Sequence, residues 1–298
     1  MSANISGVLY IIVSAFMYAT LPILAKLAYT MGLTPGNVLL LRYFFAFAVL
    51  FLYIVIISKG PILSFSFWII SQGVCLVLGS LFYLLAVQYI PAGVASVIFF
   101  VHPAIVATLS LLLFREKPSW HLFLGLFLAI LGIILISRIS QGFTGISAWG
   151  VCLAIFSSLT YSGYSLISQK NVAAQSPYVL TTTFSLLGIV FFTMVNYTDL
   201  DFITSLNIPQ LLIGLAMGLF NTVLALVFYL KGVKKIGASH AALVSTLEPV
   251  LTVLIAFLVL EEVLTSMDII GSLLVFASML LAVTSSRQKP LETLPNKS

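Results

Sequence analysis

The stretch FYLLAVQYIPAGVASVIFFVHP at 82–103 is answered, without a gap, by FYLKGVKKIGASHAALVSTLEP at 228–249. Phe82-Tyr83-Leu84 recurs as Phe228-Tyr229-Leu230, Val87 as Val233, Ile90 as Ile236, Ala92 as Ala238, Ala95 as Ala241 and Pro103 as Pro249. The same offset of 146 residues carries Glu116 onto Glu262 and Gly125 onto Gly271, so the correspondence extends over 82–135 and 228–281. In so apolar a chain, matches among Leu, Val and Ala are cheap. The Phe-Tyr pair, Pro, Glu and Gly therefore carry the weight, and an internal repeat of this kind is how many transporters are built.

Charged residues make up 7% of the chain and hydrophobic ones 61%. A soluble domain carries about 25% charged residues, so the composition predicts an integral membrane protein. A hydrocarbon core of ~30 Å takes roughly 20 apolar residues to cross in a helix. Ten such stretches follow one another, near 5–29, 37–57, 66–88, 92–114, 120–137, 147–168, 178–197, 209–231, 238–260 and 266–284. The short connections leave no room for a soluble catalytic domain. The first stretch lacks the basic leader of a secretory signal and is too long for one. Cys75 and Cys152 both fall inside spans without metal-ligand spacing and read as small apolar fillers.

The net charge of +5 (13 basic minus 8 acidic) is explained by topology. With the N-terminus cytoplasmic, Lys59, Arg115, Lys117, Lys170, Lys231, Lys234, Lys235, Arg287, Lys289 and Lys297 all lie inside and only Arg138 outside, the positive-inside pattern. Trp68, Trp120 and Trp149 each start a span, where an interfacial anchor belongs. Both termini are expected inside, and no nucleic-acid surface is implied. Five spans separate the two copies, an odd number, so the halves cross the membrane in opposite senses. The fold class expected is an all-α integral membrane protein of ten transmembrane helices in two inverted five-helix repeats. The first half is 1–140, the second 146–287, and 288–298 is a cytoplasmic tail. Earlier in each half Gly7, Ser14 and Tyr18 match Gly150, Ser157 and Tyr161 at an offset of 143.

Ionisable groups at membrane depth are costly and mark functional positions. Glu248 precedes Pro249 in the ninth span, and a proline there cannot bond the carbonyl of Ser245. A kink and a free carbonyl beside a carboxyl group make a polar site for a substrate amine or a proton; the bland alternative is a protonated side chain bracing the kink. His102-Pro103 holds the equivalent place in the fourth span, freeing the carbonyl of Phe99, and an imidazole there is either a proton-coupling group or a packing residue. Lys26 and Arg42 lie toward the ends of the first two spans; Arg42, several residues inside, points to an internal ion pair, rim hydrogen bonds or substrate contact. Ser157, Tyr161, Tyr164 and Ser168 recur at i, i+4, i+7 and i+11, one helical face. That face either packs through small residues or lines a wet cavity. Tyr18, the paired Tyr83 and Tyr229, and Asn221 with Thr222 add hydrogen-bonding capacity suited to a neutral or zwitterionic solute. Gly214 and Gly218 have the spacing of close helix packing. His121 and His240, near the inner interface, read as bland. No Walker loop, zinc-protease helix, paired carboxylates or nucleophile elbow is present, so no catalytic residue, metal ligand or cofactor is expected.

The run Ala86-Val87-Gln88-Tyr89-Ile90-Pro91-Ala92-Gly93-Val94-Ala95, then His102-Pro103, Arg115-Glu116-Lys117, Gly125 and Gly132, resembles the repeat of the drug/metabolite transporter superfamily, in its ten-helix EamA-type branch. The second copy is closer, with Ile236-Gly237-Ala238, Leu247-Glu248-Pro249-Val250, Glu261-Glu262 and Gly271. His102 and Arg115 depart from the pattern, standing where a small or apolar residue and a Gly are usual. The resemblance implies spans 1–4 and 6–9 around a central cavity, with spans 5 and 10 peripheral. It further implies a secondary transporter, acting as an exporter of amino acids or related amine-bearing metabolites across a cell membrane by alternating access. The expected partners are a small-molecule substrate, the lipid bilayer, and a proton or counter-solute; one chain holding both halves suffices as a monomer. The rival readings are an importer or exchanger of a larger nucleotide-linked or sulfonium metabolite, and a non-transporting membrane subunit.

Overall fold

The computed structural model describes residues 3–90, 95, 98–113, 120–136, 147–260 and 265–286. The Arg115-Glu116-Lys117 and Glu261-Glu262 signatures, Pro91 to Val94, the link at 138–146 and the tail at 288–298 lie outside the described residues, as does the side chain of Lys26. Among the described residues the chain is helical and no strand occurs. Its helices are α1 (Ala3–Ala19), α2 (Leu21–Thr30), α3 (Pro35–Tyr53), α4 (Phe67–Tyr89), α5 (His102–Leu113), α6 (Trp120–Ile136), α7 (Ala148–Ala174), α8 (Pro177–Val195), α9 (Ile208–Gly218), α10 (Ala225–Ser245), α11 (Glu248–Leu260) and α12 (Ser266–Ser286). Two π-helical segments, Ile54–Ser58 and Leu219–Leu224, continue α3 and join α9 to α10. Six continuous helical runs are long and apolar enough to cross a membrane, and shorter apolar helices accompany them. Such helices satisfy their own backbone in a solvent that cannot.

Their ends are closed by local chemistry. Thr34 accepts a bond from the Asn37 amide at 3.2 Å, with Pro35 in the first turn of α3. Ser66 caps α4 through the Ile69 amide at 3.3 Å. Asn207 and Gln210 form a reciprocal capping box on α9. The 38-residue run Ile208–Ser245 is broken at Gly237, whose φ of 78° and ψ of 165° are open essentially to glycine alone. The freed amide of Ala238 donates to Gln169 Oε1 at 2.9 Å.

The closest helix pairs are α1 with α10, α4 with α7, α3 with α8 and α6 with α12. Their contacts are made twice. A Cβ on Gly7 would stand 2.6 Å from Ile236 Cγ2, and one on Gly150 would stand 2.7 Å from Ile90 Cγ2. Ser14 Oγ donates to the Ala225 carbonyl at 2.8 Å, and Ser157 Oγ to the Gly79 carbonyl at 2.8 Å. Within the α6–α12 pair Gly132 abuts Gly271 while Gly125 abuts Ser278. Each of these contacts maps onto its twin when residues are exchanged by the offsets of the repeat. Small residues at such crossings let the backbones approach, the main source of helix association in lipid. Gly214 and Gly218 do the same work against α3: a Cβ on Gly218 would stand 2.8 Å from Phe45 Cβ and 3.0 Å from the Arg42 carbonyl. Large apolar side chains such as Leu112, Phe127, Leu258 and Leu273 are exposed, as a lipid-facing surface requires, and Trp68, Trp120 and Trp149 are exposed at the starts of α4, α6 and α7.

Candidate functional site

Besides the break at Gly237, four interruptions of the described helical runs bear on the candidate site. The first is at Thr20, between α1 and α2, where Pro22 supplies no amide to the Tyr18 carbonyl. Thr20 Oγ1 turns back to the Met17 carbonyl at 2.7 Å. A second interruption precedes α5 at Phe100–Val101, and a third precedes α11 at Thr246–Leu247. Those two are related by the repeat (100 + 146 = 246). His102 and Glu248 are therefore the first residues of two half-helices, each followed by its proline. The Phe99 carbonyl, which Pro103 cannot bond, accepts from His102 Nδ1 at 3.0 Å. The fourth interruption is the π-turn Leu219–Leu224.

Around His102 the aromatic residues form one continuous array. Phe99 is the hub, with its ring centroid 4.9 Å from His102, 5.2 Å from Tyr83 and 5.2 Å from Tyr161. Tyr161 continues to Tyr164 at 5.3 Å and Tyr229 at 6.5 Å, and Tyr164 stacks on Tyr229 at 5.8 Å. Ser165 Oγ and Tyr229 Oη share a hydrogen bond of 2.6 Å that joins α7 to α10. Tyr229→Phe leaves Ser165 Oγ without that partner. It is expected to cost about 1 kcal/mol, read as a lower melting midpoint of the solubilised protein.

Arg42 and Asn221 form a second group. The buried guanidinium donates from Nε to Thr222 Oγ1 at 2.7 Å and from Nη2 to the Asn221 carbonyl at 2.8 Å. The widened π-turn leaves that carbonyl available. Asn221 Nδ2 in turn donates to the Met17 carbonyl at 2.6 Å and to Thr20 Oγ1 at 2.9 Å. Arg42 thus makes hydrogen bonds within the protein rather than an ion pair with a described acid. Tyr18 and Glu248 lie close enough to Arg42, and to each other, to interact electrostatically. Thr252, one turn beyond Glu248, reaches the Ala19 carbonyl at 3.4 Å.

Several polar atoms here have no hydrogen-bond partner among the described residues. Tyr18 Oη, Tyr164 Oη, His102 Nε2 and Asn221 Oδ1 are buried and unpaired. The Glu248 carboxylate makes no hydrogen bond or ion pair among the described residues, although its backbone carbonyl accepts from Thr252 Oγ1 at 3.0 Å. Each orphaned buried polar group costs on the order of 1–3 kcal/mol. Such atoms call for a partner, and an ordered water, an ion or a polar ligand would each supply one.

The serine face of α7 packs against its neighbours. Ser157 packs on Gly79, while Tyr161, Tyr164 and Ser165 belong to the aromatic array. The sequence pointed to the Phe99 carbonyl but not to its ring, and to neither Thr20 nor Thr252; Thr20-Leu21-Pro22 carried a signal, a proline inside an apolar run. Lys231 also went unmarked: its Nζ donates to Tyr178 Oη at 2.7 Å and lies within 6 Å of the Tyr10, Tyr178 and Phe228 rings. Among the described residues no group of His, Cys, Asp and Glu could hold a metal.

The model of the EamA-like transporter family matches residues 5–138 and again 148–284. The chain belongs to this family. It is 25% identical to the uncharacterized transporter YyaM of Bacillus subtilis over 92% of this chain and 93% of that one, and 27% identical to YcbK of the same organism over 89% of each. An uncharacterized transporter of Synechocystis is 29% identical over 66% of this chain, a match spanning 60% of that protein's length. A solved crystal structure superposes with a TM-score of 0.82 at 18% identity, covering 97% of this chain and 99% of that one, which shows the shared fold. As an EamA-type chain with several apolar helices, the protein is a multi-pass membrane protein of a transporter family.

Proposed function

We propose that this EamA-type chain is a secondary transporter that exports small amine-bearing metabolites, amino acids foremost, across the cell membrane by alternating access. The observation that carries the reading is the pair of half-helices opening on His102 and Glu248, set against buried polar atoms that lack partners among the described residues. Broken helices at membrane depth are tolerated only where they are buried in protein or line a cavity, and transporters place substrate sites at such breaks. Glu248 offers a carboxylate to an ammonium group, and the tyrosine faces of the array favour the same cation. Tyr18, Tyr164 and His102 supply hydrogen bonds that fix its orientation. The doubled seams, α1–α10 and α4–α7, support two halves of opposite sense in ten spans with both termini inside, and a single chain suffices.

The test is a thermal-shift screen of the purified protein against amino acids, their decarboxylated amines and a broad metabolite panel, followed by counterflow of the hits in proteoliposomes. Exchange of labelled solute with an amine-bearing compound supports the reading. Exchange confined to nucleotide-linked or sulfonium solutes favours the importer alternative, and the absence of any shift and any exchange overturns transport itself.

A further inference from the structure

The polar group on Arg42 lies on a boundary between two apolar bodies. On one side α1 and α10 belong to the main core, through Val8, Ile11, Tyr18, Leu226, Tyr229 and Val233. On the other, α2, α9 and the start of α3 form a separate cluster with Ala25, Ala28, Val38, Leu41, Ile213 and Met217. The division falls at Thr20 in the first run and at Leu219–Leu224 in the other. Gln210 Nε2 ties α9 to the end of α2 through the Met31 carbonyl at 2.9 Å, and Gly214 and Gly218 seat α9 tightly on α3. The helix α3, by contrast, meets the α1–α10 pair chiefly through the π-turn.

The twin seam, between α4 and α7, has no such division. Cys75 and Leu76 stand where Asn221 and Thr222 stand (221 − 146 = 75), and Gly163 stands where Thr20 does (20 + 143 = 163). There α4 runs unbroken from Phe67 to Tyr89 and α7 from Ala148 to Ala174. The repeat therefore contains its own control: one seam is interrupted in both helices at one level, and its twin is continuous.

From this we infer that the α1–α10 pair turns as one body against the α2–α3–α9 body, on hinges at Thr20 and the π-turn, with Arg42 as the pin that keeps the hinge polar groups satisfied. Arg42 is a positioning residue in this scheme and not a ligand to the transported solute. The chemistry suits a moving joint. A guanidinium carries five N–H donors in a fixed fork, and among the described residues only Nε and Nη2 are engaged. Asn221 keeps a buried, unpaired Oδ1. Spare donors beside a spare acceptor let the network exchange partners during rotation without stranding a charge in a medium where that is costly. A static clamp would leave neither in reserve. The inference rests on the transport reading only for its purpose; the hinge itself is tested without a substrate.

The experiment measures spin-label distances in nanodiscs on a chain with both native cysteines replaced. One pair, at exposed Leu212 and Lys234, spans the π-turn; the control pair, at exposed Phe67 and Gln88, lies along unbroken α4. At the helical rise per residue the separations are about 33 Å for the hinge pair and about 32 Å for the control. The expected result is two distances for the hinge pair and one for the control. Arg42→Gln should change the ratio of the two hinge distances by about threefold or more, and Arg42→Lys should restore part of the change. One narrow distance for both pairs in the wild type overturns the hinge, whatever the variants do. Unchanged distances in a folded Arg42→Gln protein that has lost solute exchange overturn the pin and make Arg42 a substrate ligand. If Arg42→Gln does not fold, Asn221→Ser provides the comparison, expected to alter the ratio in the same way, and an unaltered ratio counts against the pin. Failure of the transport reading shows separately, as absence of exchange with two hinge distances intact.

Discussion

Glu248→Gln is expected to abolish substrate exchange while leaving the protein more stable than wild type. The carboxylate opens the half-helix α11 and has no hydrogen-bond or ion-pair partner among the described residues. A carboxyl group so placed costs free energy at membrane depth, through desolvation if it ionises and through proton uptake if it does not, and an amide of the same shape avoids both. Stability should rise by about 1–2 kcal/mol, within the range of an unpaired polar group. The measurement couples the melting midpoint to counterflow of the strongest amine-bearing hit. A substrate ammonium that binds Glu248 loses its counter-charge in the variant, so exchange should fall by about 100-fold or more, the cost of one charge-assisted contact. Exchange like that of the wild type would remove Glu248 from the site. Lost exchange together with a lower midpoint would make the residue a brace of the kink. The expected pattern, higher stability with lost activity, is the mark of a group held in an unfavourable state for function.

Gly188→Leu is expected to prevent accumulation of folded protein. A Cβ on Gly188 would stand 2.5–2.8 Å from the Cγ, Cδ1 and Cδ2 atoms of the Tyr43 ring. Tyr43 has no room to withdraw: it is fully buried, stacks on Phe192 at 5.8 Å and shares a hydrogen bond with Ser80 at 3.3 Å. Overpacking costs of about 3 kcal/mol apply where neighbours cannot yield, and the α3–α8 seam is one of the four principal ones. Gly188→Ala should lose about 1–3 kcal/mol by the same mechanism. The check is the yield and melting midpoint of each variant, with Tyr43→Leu as second mutation. Relief of the Gly188→Ala loss by Tyr43→Leu is the expected coupling between touching residues; independent losses would mean that the ring is not what the new methyl meets.

Much of the site was legible in the chain because proline carries its constraint locally. Pro103 and Pro249 mark the two half-helices wherever the rest of the protein sits, and the repeat supplied their pairing. Tyrosines and serines at helical spacing could be assigned to one face, though not divided between packing and site, because that division depends on which neighbour each residue meets. The π-turn left no such trace. Phe220-Asn221-Thr222 reads as ordinary helix, and the widening there answers Arg42, a residue 179 positions away in sequence from Asn221. The aromatic surroundings of Lys231 were hidden for the same reason: Tyr10, Tyr178 and Phe228 come from three helices. Hydropathy identified the apolar runs, but it cannot show where one apolar body ends and the next begins. That boundary is set by tertiary contacts.

The seams that occur twice, Gly7 on Ile236 beside Gly150 on Ile90, and Ser14 on Ala225 beside Ser157 on Gly79, have an energetic consequence. Under the proposed alternating access, exchanging the roles of the two halves would replace each contact by one of the same kind, so packing would cancel to first approximation between the two arrangements. Neither is then a deep well, and a solute of modest affinity can tip the balance. What remains to bias the resting state is the part of the chain with no twin: the break at Thr20, the turn at Leu219–Leu224 and the guanidinium between them.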